Sequence, residues 1–94
     1  MPRPRICRRI FFHPKTNYFK PAGIPVRYLE ETILEKDELE AIRLIDKEQI
    51  EQKKAAEQMK ISQPTLSRIL TSARRKIAEA LIQGKAIKIQ EKKS

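Results

Sequence analysis

Gln63, Thr65, Ser67 and Arg68 bring an amide, two hydroxyls and a guanidinium into the opening turns of a helix that begins after Ser62, with Pro64 among them. These groups match the base edges exposed in a DNA major groove, where a guanidinium forks onto guanine and a glutamine amide pairs with adenine. Further along the same helix, Thr71, Ser72, Arg74 and Arg75 supply hydroxyls and cations suited to phosphate oxygens. Arg74 to Lys76 would also fit a solvated charge run near a helix end. No acid follows them before Glu79, which favours phosphate contact. Lys53 and Lys54 place two more cations just upstream, in phosphate-contacting positions.

Positioning such groups requires two helices and a tight break. In residues 52–71 (QKKAAEQMKISQPTLSRILT), Ala55, Met59, Ile61, Leu66 and Ile69 are apolar, whereas Gln63, Pro64, Ser67 and Arg68 fall on the other side. Ala55 and Ala56 are small enough to let two helices cross. Ser62 stands at an N-cap position, its hydroxyl placed to accept from the Thr65 amide. Pro64 lies in the first turn, where a missing N–H costs nothing. The spacing predicts a helix-turn-helix whose second helix enters the major groove. An ordinary helical hairpin in a small bundle would show the same apolar stripes.

The elements around the motif follow from periodicity. Asp37 is an expected N-cap with Glu40 in the capping-box position, and Leu39, Ile42 and Ile45, flanked by Ala41 and Leu44, carry helix 1 to about Ile45 or Lys47. Helix 2 spans Gln52 to Met59. Helix 3 runs from Gln63 to about Ile82 on a stripe of Leu66, Ile69, Leu70, Ala73, Ile77, Ala80 and Leu81, and Gly84 stops it. Ala86 to Gln90 alternates as a short strand, which needs a partner in the N-terminal arm or in a second subunit. Residues 91–94 form a loose tail. Residues 1–29 hold five of the six prolines and all the phenylalanines and tyrosines, so helix is improbable there. Ile6 to Phe12 reads as a short strand ended by Pro14, residues 20–25 as a turn-rich loop, and the aromatics as packing the arm onto the helical body. The expected architecture is therefore mainly α: a Pro-rich basic arm (1–29), a three-helix domain with a long third helix (30–84), and a short strand and tail (85–94).

The formal charge of +9 is segregated. Residues 1–29 carry seven bases and no acid, residues 30–58 ten acids and five bases, and residues 59–94 nine bases and two acids. Basic flanks around an acidic scaffold suit a polyanion, because neutralising phosphates releases counterions. Cys7 is the one cysteine, which excludes an internal disulfide and fits a reducing, cytoplasmic compartment. No run approaches the roughly 18 apolar residues of a membrane span, and no secretory signal is recognisable. Enzyme activity is not expected. His13 and Cys7 are too few for a metal site, and there is no Gly-rich phosphate loop or nucleophile elbow. The acids Glu30, Glu31, Glu35, Asp37, Glu38 and Glu40 are expected to open helix 1 and keep its surface soluble. No cofactor is implied.

The segments MPRPRICRRI, YFKPAGIPVRYLE, KDELEAIRLID, AAEQMKIS, RILTSARRKIAEALIQGKA and the closing I-K-I resemble the UPF0251 family (domain of unknown function 134), small prokaryotic proteins described as predicted DNA-binding. The likeness runs from Pro2 to about Ile89. The helical half also resembles the fourth region of sigma-70-type factors, a likeness shared by many regulators. The resemblance implies a DNA-binding fold, without a reaction, ligand or operator. Against the usual family pattern, Glu51 replaces a serine cap, Lys53 and Lys54 replace acids, Lys60 replaces a turn glycine and Gln63-Pro64 replaces an Arg-Gln pair. The expected function is sequence-specific binding of double-stranded DNA in transcriptional regulation, as a homodimer, with RNA polymerase as a further partner. Arg3, Arg5, Arg8 and Arg9 form an arm able to reach a minor groove. Binding to structured RNA, or a protein-adaptor role on a sigma-like fold, are the alternatives.

Overall fold

The backbone alternates between two ways of burying apolar surface, and the switch between them occurs along a single helix. The computed structural model describes residues 16–90. In chain order these form β1 (Tyr18–Phe19), a 3₁₀ turn (Val26–Tyr28), β2 (Glu31–Glu35), α1 (Lys36–Ile42) continued by a wider π-type turn (Arg43–Lys47), α2 (Gln52–Met59), α3 (Gln63–Gln83) and β3 (Ala86–Gln90). The fold is thus mainly helical, with a small three-stranded sheet. The expected strand Ile6 to Phe12 and tail 91–94 lie outside the described residues.

β3 is the central strand. It pairs antiparallel with β1, Tyr18 opposite Lys88 and Phe19 opposite Ile87, and parallel with β2 from Glu31–Ala86 to Glu35–Gln90. Its partner in the arm was one of the two expected. β2 was not expected, because Glu31 and Glu35 disguise a β-favouring Thr32-Ile33-Leu34 centre as the acidic lead-in to a helix. A parallel pair needs a long crossover, and here the entire three-helix body supplies it.

β2 runs straight into α1, which corrects the expected helix start. Glu35, in extended conformation (φ −79°, ψ 156°), is the N-cap in place of Asp37, and Glu38 in place of Glu40 completes the capping box. The Glu35 amide donates to Glu38 Oε1 at 2.9 Å. The helix begins two residues earlier because the strand delivers the chain there, and Glu38 is the side chain that can reach back.

Two apolar clusters hold the elements. Ala41, Leu44, Ala55, Ala56, Met59, Leu66 and Leu70 form the first, where α1, α2 and the N-terminal half of α3 meet. Leu34, Ala73 and Ile89 centre the second, flanked by Leu39, Ile42, Ile77 and Ile87, where α3 covers the sheet. Most of the expected α3 stripe is buried or half-buried, but Leu81 is 75% exposed: Ala80 beside it is the residue turned inward at that level of the helix. The packing expected of the arm aromatics is also not what Phe19 and Tyr28 show: both are exposed.

Glu38 and Glu40 depart from a solvated acidic face. Glu40 is fully buried and receives a fork from Arg43, Nε at 3.0 Å and Nη2 at 2.9 Å. Glu38, 5% exposed, accepts from Ser72 Oγ at 2.6 Å and Lys76 Nζ at 2.8 Å, which pins α1 against α3. Burial alone would push the Glu38 carboxyl up, but hydrogen bonds from Lys76, Ser72 and the Glu35 amide, with the Lys76 charge, outweigh it and hold the pKa below the ordinary glutamate value. A carboxyl depressed on folding stabilises the fold above its unfolded pKa, and that contribution is lost as pH falls through the folded value. Stability measured by urea unfolding should therefore decline as pH drops below about 4. Glu38→Gln should be about 1–3 kcal/mol less stable at neutral pH and show a weaker decline in acid.

Candidate nucleic-acid interface

The apolar periodicity of residues 52–71 resolves into α2, a three-residue turn and the first turns of α3. α2 buries Ala55, Ala56 and Met59 and leaves Gln52, Lys53, Lys54, Glu57 and Gln58 in solvent. Lys60 ends it in the left-handed region (φ 60°, ψ 46°). Its amide donates to Glu57 O at 3.1 Å, and the Ile61 amide donates to Ala56 O at 3.0 Å. This is a Schellman closure, with Ile61 folded back onto the first apolar cluster. Ser62 then caps α3, its Oγ accepting from the Thr65 amide at 3.2 Å, with Pro64 in the first turn. Gly84 (φ 73°) closes the far end of α3.

With Leu66, Leu70 and Ala73 inward, the outward face of α3 is determined. Pro64, Arg68, Thr71 and Arg75 follow one another at spacings of four, three and four, all exposed, and Gln63 and Ser67 flank them, exposed as well. Lys53 and Lys54 on α2, and Lys60 in the turn, add three exposed cations. None of Lys53, Lys54, Lys60, Arg68 and Arg75 has an ion pair with a described residue. The first acid on α3 is Glu79, and it faces Lys85 at 3.7 Å. The outward face of α3 therefore carries Arg68 and Arg75 without a paired acid among the described residues, with amide and hydroxyl groups interspersed.

Three expected site residues are placed differently. Arg74 donates to Asp46, Nη2–Oδ1 at 2.6 Å and Nε–Oδ2 at 3.2 Å, and the carboxylate raises the guanidinium pKa. Ser72 is half-buried and spends its proton on Glu38. Thr65 is half-buried, its hydroxyl engaged by Ser62 and Arg68. The run from Arg74 to Lys76 has no compensating acid in its own helix, yet Asp46 and Glu38 reach Arg74 and Lys76 from around α1. No sequence signal marks Asp46 as that partner, because 28 residues separate it from Arg74. Arg75 is the member of the run without an ion pair among the described residues. The arm residues Arg3, Arg5, Arg8 and Arg9, with Cys7 and His13, lie outside the described residues. Among the described residues no cluster of three His, Cys, Asp or Glu could hold a metal, and no helix is long and apolar enough to cross a membrane.

A family model described as "Protein of unknown function DUF134" matches residues 1–93. A UPF0251 protein of Moorella thermoacetica is 58% identical over 90 residues, covering 96% of this chain and 60% of its own length. UPF0251 proteins of Caldanaerobacter subterraneus and Dehalococcoides mccartyi are each 56% identical over 90 residues, covering 96% of this chain and 76% and 77% of theirs. The chain thus spans about three fifths of the length of the Moorella relative and about three quarters of the other two. No solved structure matches it.

Lys60 holds a conformation that costs an L-residue about 1 kcal/mol. Lys60→Gly should raise the free energy of unfolding by about 0.5–1 kcal/mol, read as a higher urea midpoint at unchanged slope. Equal or lower stability would mean that the Lys60 side chain offsets the strain.

Proposed function

The chain belongs to the family described as protein of unknown function DUF134, and from that footing we propose that it binds double-stranded DNA sequence-specifically and regulates transcription in the cytoplasm. The N-terminal turns of α3 would lie in the major groove. The observation that carries this reading is the outward stripe Pro64–Arg68–Thr71–Arg75, a rigid helical face whose cations have no ion pair among the described residues. Arg68, Gln63 and Ser67, nearest the helix start, suit base edges. Arg75 and Thr71, with Lys53 and Lys54 across the turn, suit phosphates on either side. A homodimer fits the same reading, because one short helix contacts few base pairs and paired half-sites multiply discrimination. Leu81 and Ile82, 75% and 84% exposed at the opposite end of α3, support pairing through that end.

The test is duplex selection from randomised DNA, followed by anisotropy titration across a range of salt. Arg75→Ala should weaken binding to every sequence and reduce the salt slope by about 1. Arg68→Ala should relax the preference at one base position, by about 1–3 kcal/mol. Arg74→Ala should weaken DNA binding less than Arg75→Ala, because Asp46 already pairs with the Arg74 guanidinium. Unaltered affinity in an Arg68→Ala/Arg75→Ala protein would sink the proposal, and tighter binding to structured RNA than to DNA at matched salt would redirect it. For the dimer, Leu81→Lys with Ile82→Lys should leave a folded monomer in sedimentation. A wild-type monomer at micromolar concentration would rule pairing out.

A further inference from the structure

The start of α3 contains a short relay that plain N-capping does not require. Ser62 Oγ accepts from the Thr65 amide at 3.2 Å and also donates to Thr65 Oγ1 at 2.9 Å. Arg68 Nη2 donates to the same Thr65 Oγ1 at 3.4 Å. A hydroxyl oxygen has two acceptor positions, and both of Thr65's are used within the protein. Thr65 is therefore poorly placed to accept from the amino group of a base. It can, however, hold the Arg68 side chain against the first turn. That contact uses one of the five guanidinium N–H groups, leaving a pair free to fork onto the N7 and O6 of guanine.

We propose that Thr65 is a positioning residue that orients the Arg68 guanidinium toward the groove, so that guanine discrimination by Arg68 depends on the Thr65 hydroxyl. The proposal rests on the DNA-binding reading and adds to it which side chain confers specificity on another. An exposed arginine samples many rotamers, and fixing it on binding costs entropy. A contact already present in the free protein reduces that cost and favours one direction of approach. Arg75, which has no such anchor among the described residues, is left to act as a phosphate contact.

The experiment uses the full chain and a duplex enriched from a randomised library, together with that duplex substituted at the guanine whose preference Arg68→Ala abolishes. Thr65→Val should lower the preference for guanine at that position roughly two- to tenfold, the value of one hydrogen bond. Preference at other positions and the salt slope should be unchanged. Thr65→Ser should restore it, because the hydroxyl is retained. Full preference in Thr65→Val would overturn the proposal while leaving DNA binding intact. So would an equal loss of affinity for all sequences accompanied by a lower melting temperature, which would mark Thr65 as structural only. If no duplex is enriched, the DNA-binding reading fails and this proposal with it; if a duplex is enriched but Arg68→Ala relaxes no guanine position, this proposal fails alone.

Discussion

α3 has to satisfy two apolar clusters at once, and most of the molecule follows from that constraint. Leu66 and Leu70 close the cluster shared with α1 and α2, while Ala73 and Ile77 pack over the sheet. A helix committed along one side for most of its length can neither roll nor slide without uncovering one cluster, so its outward stripe is fixed as a consequence. A rigid helix with a predetermined face is what recognition of an equally rigid partner requires, since the cost of ordering side chains is met on folding rather than on binding. Ala55, Ala56 and Ala73 are fully or almost fully buried at the places where helices and sheet approach α3. Small side chains there let backbones come close without leaving voids.

Electrostatics divides the two sides of α3. On the side turned toward α1, acids take up the cations: Glu38 receives Ser72 and Lys76, and Asp46 receives Arg74. On the outer side, Arg68 and Arg75 are left without an ion pair to any described residue. The acidic middle of the chain therefore does more than lower the net charge. It pairs with the cations that lie toward the body and leaves Arg68 and Arg75 on the outer face of α3 without an ion pair among the described residues. A uniformly basic surface of the same net charge would attract polyanions without orienting them.

The helical half was legible from residue order because its determinants are local. The Ser62 cap, the Gly84 stop and the i, i+3, i+4 stripe each depend on neighbours within a turn or two. β2 was not legible, since its pairing with β3 joins residues separated by the whole helical body and its flanking glutamates suggest a helix opening. The α1 cap was misplaced for the same reason, as the strand that delivers the chain to Glu35 was unseen. In the candidate interface, exposure of Gln63, Pro64, Ser67, Arg68, Thr71 and Arg75 followed from periodicity alone. The engagement of Ser72 and Arg74 did not, because their partners are brought in by tertiary packing.

The sequence by itself determined the helix-turn-helix outline, the direction of the outward stripe and the segregation of charge. Capping, periodicity and composition act over a few residues, whatever the rest of the chain does. Only the tertiary structure decided which cations remain available. An ion pair forms where folding brings two charges within a few ångströms, and that proximity of Asp46 to Arg74, or of Glu38 to Lys76, is a property of how α1 lies on α3 and of nothing written in either segment alone.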